Sequence, residues 1–286
     1  MKTTKTIKSV RDLVKAARSR GKKVGLVPTM GALHIGHISL IETARRDCGF
    51  VVISIFVNPA QFAAGEDFET YPRVLDKDLE ICRNKGVDVV FAPTPAEMYS
   101  AENLTWVNVE KLTATLCGQS RPEHFRGVTT VCAKLFNIIG PDIAYFGQKD
   151  AQQAIVIKRM VADLNMPLEI SICPTVRAPD GLAESSRNQY LTAEQRKDAV
   201  SIYKSLEKCR QMIDAGVLET KAIETQMRQV LNQPGSIKIE YISIVNAETL
   251  QNLEQITGKA LVAVAVKING TRLIDNILVD TTGNNV

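Results

Sequence analysis

Residues 22–37, KKVGLVPTMGALHIGH, decide the fold class, because a strand pattern gives way to a helix pattern inside sixteen residues. The apolar alternation of Val24, Leu26 and Val27 stops at Pro28, and a second periodicity runs through Leu33, His37, Leu40, Ile41, Ala44 and Cys48. His-Ile-Gly-His then forms the first turn of a helix that follows a buried strand. The unpaired N–H groups of such a terminus attract anions, and histidines at i and i+3 can face one ligand. Gly36 would let a base, ribose or phosphate lie close, since no Cβ intrudes. Zinc is the other chemistry open to two histidines. However, the six cysteines are scattered, no CxxC occurs, and His124 is the only further imidazole, which argues against it.

Outward from this stretch, short β-rich runs alternate with helical patterns. Strands are predicted near 23–28, 50–57, 87–92, 142–146 and 168–173, the rhythm of a parallel sheet with crossover helices. Leu75, Leu79 and Cys82 mark one buried helix face, and Val128, Val131, Cys132, Leu135 and Ile139 another. A third helix is predicted from Asp150 to Leu164. The segment from Pro93 to Arg126 breaks the rhythm, with a short strand predicted at Thr105–Val109. After Pro174 the pattern changes. Thr192 with Gln195 reads as a capping box for a helix reaching Asp214, and a second helix runs from Glu219 to Leu231. Strands at 237–245, 260–268 and 271–279 follow, the last two joined by Asn269-Gly270, a hairpin signal. The expected architecture is α/β: a Rossmann-like parallel sheet with helices on both faces over residues 1–175. A smaller α+β domain with a three-stranded antiparallel sheet follows over 176–286, hinged near 174–184.

Composition narrows the function classes. A chain of 286 residues, 45% hydrophobic and 23% charged, can build one sizeable core and a smaller one. No apolar run approaches the roughly 18 residues of a membrane helix, and the basic MKTTKTIKSV is followed by no hydrophobic segment. The scattered cysteines suit a reducing cytosol. A net charge of +4 with 5% aromatic residues offers no stacking platform or basic arm for nucleic acid; small anionic substrates fit better.

In open α/β sheets, ligands sit beyond the C-terminal strand ends. Four such segments carry chemistry: Thr29–His37, Asn58–Phe62, Phe146–Gln153 and the Ser185–Asn188 turn. They contribute histidines and backbone donors, the amides Gln61 and Gln153, and the cations Lys149 and Arg187. Such a set suits negative charge developing on phosphate, with no protein nucleophile. Neither a Walker A sequence nor GxGxxG occurs, which excludes a kinase-type P-loop and disfavours a dinucleotide dehydrogenase. Taken singly, the glutamines read equally well as solvated side chains, Lys149–Asp150 as an ion pair at a helix start, and Ser185, Ser186 and Asn188 as turn formers.

The segments PTMGALHIGHISL, IFVNPAQF, DFETYPR, RPEHFRGV, FGQKDAQQ and DGLAESSRNQYL, in this order, make the chain resemble the pantothenate synthetases of the HIGH-motif nucleotidyltransferase superfamily. The resemblance implies an ATP-dependent, AMP-forming ligase of pantothenate biosynthesis. In it, the D-pantoate carboxylate attacks the α-phosphate of Mg-ATP, releasing pyrophosphate, and the β-alanine amine then displaces AMP from pantoyl adenylate. By the same resemblance, Met30, Gly31, Ala32, Leu33, His34, Ile35, Gly36 and His37 line the ATP site, and His37, assisted by His34, acts on the phosphates. Gly147, Gln148, Lys149, Asp150 and Val176 bracket ribose and adenine. Glu184 through its backbone, Ser185, Ser186 and Arg187 close over the phosphates with Lys149. Gln61 and Gln153 hold pantoate, and Gln61 also lies near β-alanine. Magnesium is held chiefly by ATP oxygens and water, with Asp78 as an outer contact. The resemblance also implies a homodimer; the composition reads as cytoplasmic, and the hinge near 174–184 is expected to let the C-terminal domain close over ATP as a lid. The rival readings are a nucleotidyltransferase acting on a phosphorylated acceptor, a tRNA synthetase fragment lacking KMSKS, and a non-catalytic nucleotide-binding protein.

Overall fold

The computed structural model describes residues 1–63 and 65–282. They form β1 (Lys2–Thr4), α1 (Ile7–Arg18), β2 (Val24–Thr29), α2 (Ile35–Asp47), β3 (Phe50–Ile55), α3 (Leu75–Asn84), β4 (Val89–Phe91), α4 (Pro95–Met98) and α5 (Cys117–Ser120). Next come α6 (His124–Ile139), β5 (Ile143–Gly147), α7 (Ala151–Asp163), β6 (Glu169–Cys173), α8 (Ala193–Asp214), α9 (Thr220–Asn232), β7 (Ile237–Asn246), β8 (Lys259–Ile268) and β9 (Thr271–Asp280). The chain divides into two compact units. One comprises residues 1–113, 120–148 and 153–174; the other comprises 114–119, 149–152 and the chain from Thr175 on.

The first unit holds a parallel sheet of order β1-β4-β3-β2-β5-β6. From β2 the chain runs outward to β3 and β4, then returns to place β5 on the other side of β2. The order therefore reverses between β2 and β5, and that switch point is where open sheets bind ligands. The two strands pair only at Gly25↔Ile143 and Leu26↔Ala144, whereas β2 pairs with β3 along all six residues. Pro28 has no N–H for a ladder, so the β2–β5 pairing ends before the strands do, leaving their C-terminal ends unzipped. Under the sheet, Leu40, Ile41 and Ala44 of α2 pack with Val27, Val51, Ile53, Val90 and Tyr145, so the apolar period read from the sequence is the core face.

Three elements differ from the sequence reading. β1 and α1 went unread: β1 is a three-residue edge strand of Lys, Thr and Thr that pairs with β4, too polar and short to show a period. The strand predicted at Thr105–Val109 does not form. The Val107 N–H goes to Thr130 Oγ1 (3.0 Å) and its carbonyl accepts Thr129 Oγ1 (2.6 Å), so threonine side chains of α6 replace a partner strand.

In the second unit, β7-β8-β9 form an antiparallel sheet, with β8 and β9 joined at Asn269-Gly270, both residues at positive φ. Helices α8 and α9 bury Ile202, Leu206, Cys209, Ile223, Met227 and Leu231 with the β8 residues Val262, Val264 and Val266. Thr192 caps α8 by the predicted reciprocal bond with Gln195.

Candidate active site

The loop from β2 to α2 is built by side chains that satisfy its backbone. Thr29 Oγ1 accepts the Gly31 N–H (3.1 Å) and donates to the Ser54 carbonyl (2.7 Å), fastening the strand end to β3. Gly31 (φ 83°) and Ala32 (φ 52°) turn through left-handed conformations, a strained choice for alanine. What holds it is Asp78 of α3: Oδ2 accepts the Ala32 N–H (2.9 Å) and Oδ1 the Leu33 N–H (2.8 Å). Asp78 is 1% exposed, and burial pushes its carboxyl up while the Leu33 and Ala32 N–H groups pull it down. Asp78, the residue expected as an outer magnesium contact, has each carboxylate oxygen engaged by a backbone N–H.

His34 is the N-cap of α2, so Ile35, Gly36 and His37 form its first turn. His34 Nδ1 accepts the Gly36 N–H (3.1 Å), and His37 Nδ1 accepts the His34 N–H (3.3 Å), closing a capping box made of two imidazoles. A nitrogen that accepts an N–H carries no proton. Each neutral ring is therefore fixed as the Nε2–H tautomer, a donor suited to an oxyanion. The ring centroids lie 4.2 Å apart. Gly36 acquires a second reason to lack a side chain: a Cβ there would meet His34 Cε1 at 2.8 Å and Nδ1 at 3.0 Å.

Gln61 closes the turn after β3. It is 9% exposed, donates Nε2–H to Met30 Sδ (3.1 Å) and accepts from Asn58 Nδ2 at Oε1 (3.1 Å). Asn58 in turn donates to the Gly127 carbonyl (3.1 Å) and accepts the Tyr99 hydroxyl (2.8 Å). Burial pushes Tyr99 up to about 12, so it stays a donor at neutral pH. The Gln61 carbonyl is held by His124 Nδ1 (2.9 Å) and Arg121 Nη2 (3.3 Å). Helix α6 comes this close because residue 127 is glycine, whose Cβ would lie 2.1 Å from the Ala60 oxygen. Of the other first-unit residues read from the sequence, Met30 contacts Gln61, Gly147 ends β5 at the switch point with Gln148 directly after it, and Gln153 is half-buried on α7.

In the second unit, Glu184 donates its N–H to the Val176 carbonyl (3.0 Å), so these two expected nucleotide contacts pair across a tight loop. Arg177 fastens that loop by a fork on Asp275 (2.5 and 2.9 Å) and stacks on Tyr203 at 4.4 Å. Ser185 caps the 3₁₀ turn Ser186–Tyr190 by accepting the Arg187 N–H (3.3 Å). The Lys149 carbonyl accepts Asn276 Nδ2 (2.9 Å). Lys149 and Arg187 thus sit on backbone fixed by partners in the same unit.

Sequence reasoning did not single out Asn58, Tyr99, Arg121, His124 or Arg177. For the first four the only signal was membership of the NPAQF and RPEHFRGV segments or of the irregular stretch between them; their bonds connect positions distant in the chain.

A parallel sheet whose order reverses beside a histidine-capped helix terminus defines an α/β nucleotide-binding protein. Within that class, the chain belongs to the pantoate–β-alanine ligase family, whose model matches residues 2–278. It is 54% identical over 280 residues to the pantothenate synthetase of Moorella thermoacetica, covering 98% of this chain and 99% of the relative. The crystal structure of pantothenate synthetase from Thermus thermophilus superimposes with a TM-score of 0.92 at 44% identity, covering 97% of this chain and 99% of that one. That of the pantoate–β-alanine ligase from Francisella tularensis, complexed with beta-gamma ATP and β-alanine, gives 0.80 at 34% identity, covering 97% of each chain.

Proposed function

We propose that this chain is an ATP-dependent ligase that condenses D-pantoate with β-alanine to pantothenate through pantoyl adenylate, releasing pyrophosphate and then AMP. The observation that carries it is the imidazole capping box at the end of β2 in a chain matched to the ligase family almost end to end.

The chemistry follows from what these groups can do. Adenylation needs charge stabilisation as pyrophosphate departs, and His37 and His34 supply Nε2–H donors held in place by their own helix. The remaining α2 N–H groups and the Met30–Leu33 loop receive the nucleotide, with the bare Gly36 allowing close approach. Gly147, Gln148, Asp150 and Val176 bind the nucleoside end. Lys149, Arg187, Ser185, Ser186 and the Glu184 backbone serve the phosphates. Gln61 and Gln153 hold pantoate through neutral amides, which leave its carboxylate nucleophilic. The second step starts from a mixed anhydride with a good leaving group, so holding the amine near Gln61 matters more than acid–base help.

Magnesium arrives with ATP, held by phosphate oxygens and water. Among the described residues no group of three His, Cys, Asp or Glu side chains could hold a metal ion, and Asp78, which also pins the loop, serves as an outer contact. We further propose a cytoplasmic homodimer, the first on the six buried free cysteines, the second on the family resemblance. Among the described residues no helix is long and apolar enough to cross a membrane.

Product analysis with each substrate omitted in turn tests the reading. Pyrophosphate should require ATP and pantoate only, while AMP and the amide should also require β-alanine. Pantoate-dependent pyrophosphate with no amide would make the chain a nucleotidyltransferase instead.

A further inference from the structure

Beside Gln61, Arg121 makes a fork on Glu66. Its Nε donates to Oε1 at 2.6 Å and its Nη2 to Oε2 at 2.5 Å, while the Ala63 N–H also reaches Oε2 at 3.1 Å. Two parallel N–H bonds to one carboxylate are the geometry by which arginine recognises carboxylic acids. The same Nη2 donates to the Gln61 backbone carbonyl (3.3 Å), which also meets His124 Nδ1 at 2.9 Å. Both partners are mostly covered, with side-chain exposures of 15% for Arg121 and 22% for Glu66. Burial raises the Glu66 carboxyl, but the hydrogen bonds and charge of Arg121 outweigh it and hold it below its usual range.

Resting on the ligase reading, we propose that Arg121 is the receptor for the carboxylate of the β-alanine acceptor, and that Glu66 is a tethered competitor occupying that receptor until the amino acid displaces it. The reaction itself selects the occupant. The pantoate carboxylate must attack phosphorus, and a guanidinium fork would withdraw the electrons it needs; once adenylated, it is no longer a carboxylate. The acceptor's carboxylate alone passes through both half-reactions unchanged. A fork one hydrogen bond from Gln61 suits this spectator group, and fixing it would aim the amine at the activated carbonyl. Glu66 also answers what a cationic fork does in the absence of acceptor: it keeps the guanidinium paired while partly buried. An internal carboxylate raises the acceptor concentration needed for binding, because the acceptor must break the Glu66 pair before making its own.

The test compares Glu66→Gln with wild type in steady state. The KM for β-alanine should fall at least about threefold relative to the KM for pantoate, since an amide competes poorly for the fork. Arg121→Lys should raise the KM for β-alanine tenfold or more on the order of one lost bidentate contact. With n-propylamine, an acceptor lacking the carboxylate, as probe amine, wild type and Arg121→Lys should form amide from preformed pantoyl adenylate at the same rate. A KM for β-alanine that is unchanged or higher in Glu66→Gln overturns the proposal, as does an Arg121→Lys defect equally large with n-propylamine. Failure of the ligase reading would show separately, as wild-type protein that makes no pantoate-dependent pyrophosphate.

Discussion

His34 and His37 cap one helix terminus between them, each through Nδ1, so that both rings leave the cap with the proton on Nε2. Structural and chemical duties therefore fall on different atoms of the same ring and can be separated. His37→Ala should slow adenylate formation by about 10²-fold or more, the scale of a lost preorganised donor. His34→Asn keeps a good N-cap, so thermal stability should change by only a few tenths of a kcal/mol, yet adenylation should still fall. Single-turnover pyrophosphate release and a melting curve on each variant check both; an unchanged adenylation rate in His37→Ala would remove its assigned role.

Gly36→Ala separates helix propensity from ring placement. Alanine favours an α-helix over glycine by about 1 kcal/mol, but its Cβ would press on His34 Cε1 at 2.8 Å. We expect an enzyme at least as stable as wild type by urea denaturation and at least tenfold slower in adenylation.

Gly127→Ala acts on the Gln61 side. The added carbon meets a backbone carbonyl, that of Ala60, at 2.1 Å, and backbone yields less readily than a side chain. A loss of about 1–3 kcal/mol is expected, with a raised KM for pantoate as the turn carrying Gln61 shifts. Wild-type stability would refute the close packing.

Asp78→Asn preserves shape but turns an N–H donor toward a backbone N–H. One donor of the Ala32–Leu33 pair loses its acceptor, at a cost of about 1–3 kcal/mol, and the KM for ATP should rise because the loop is no longer pinned. Asp78 also has a distinct pH signature. Its folded carboxyl lies above 3.8, so the folded chain binds the proton more tightly and this contribution to stability falls as pH rises from 3.8 through the folded value. Urea midpoints across that window should lose this component in Asp78→Asn.

Glu240 runs the other way. Burial raises its carboxyl, but Arg272 and Lys267, at 2.6 and 3.1 Å, outweigh this and hold it below 4.5. The stability it contributes is complete above pH 4.5 and is lost as pH falls through the folded value. In Glu240→Gln the acid limb of stability against pH should flatten; a limb identical to wild type would exclude the assignment.

The capacity to form a parallel sheet, the start of α2, the capping box of α8 and the β8–β9 hairpin were legible along the chain, because each rests on neighbours within a few residues: apolar period, cap residues, Asn-Gly. The helix terminus with its two histidines was legible for the same reason. Strand β1 and the failed strand at Thr105–Val109 were not, since edge pairing depends on which backbone lies alongside. The site shows the same division. Sequence supplied the candidate side chains, the imidazoles, amides and cations after strand ends. Only tertiary structure decided the sheet order that creates the switch point. It also decided that Asp78, 46 residues from Ala32, pins the loop, and that His124, 63 residues from Gln61, grips its carbonyl. Local sequence encodes propensity and period, whereas tautomer, tilt and charge at a site are set by partners that only folding brings within 3 Å or so of one another.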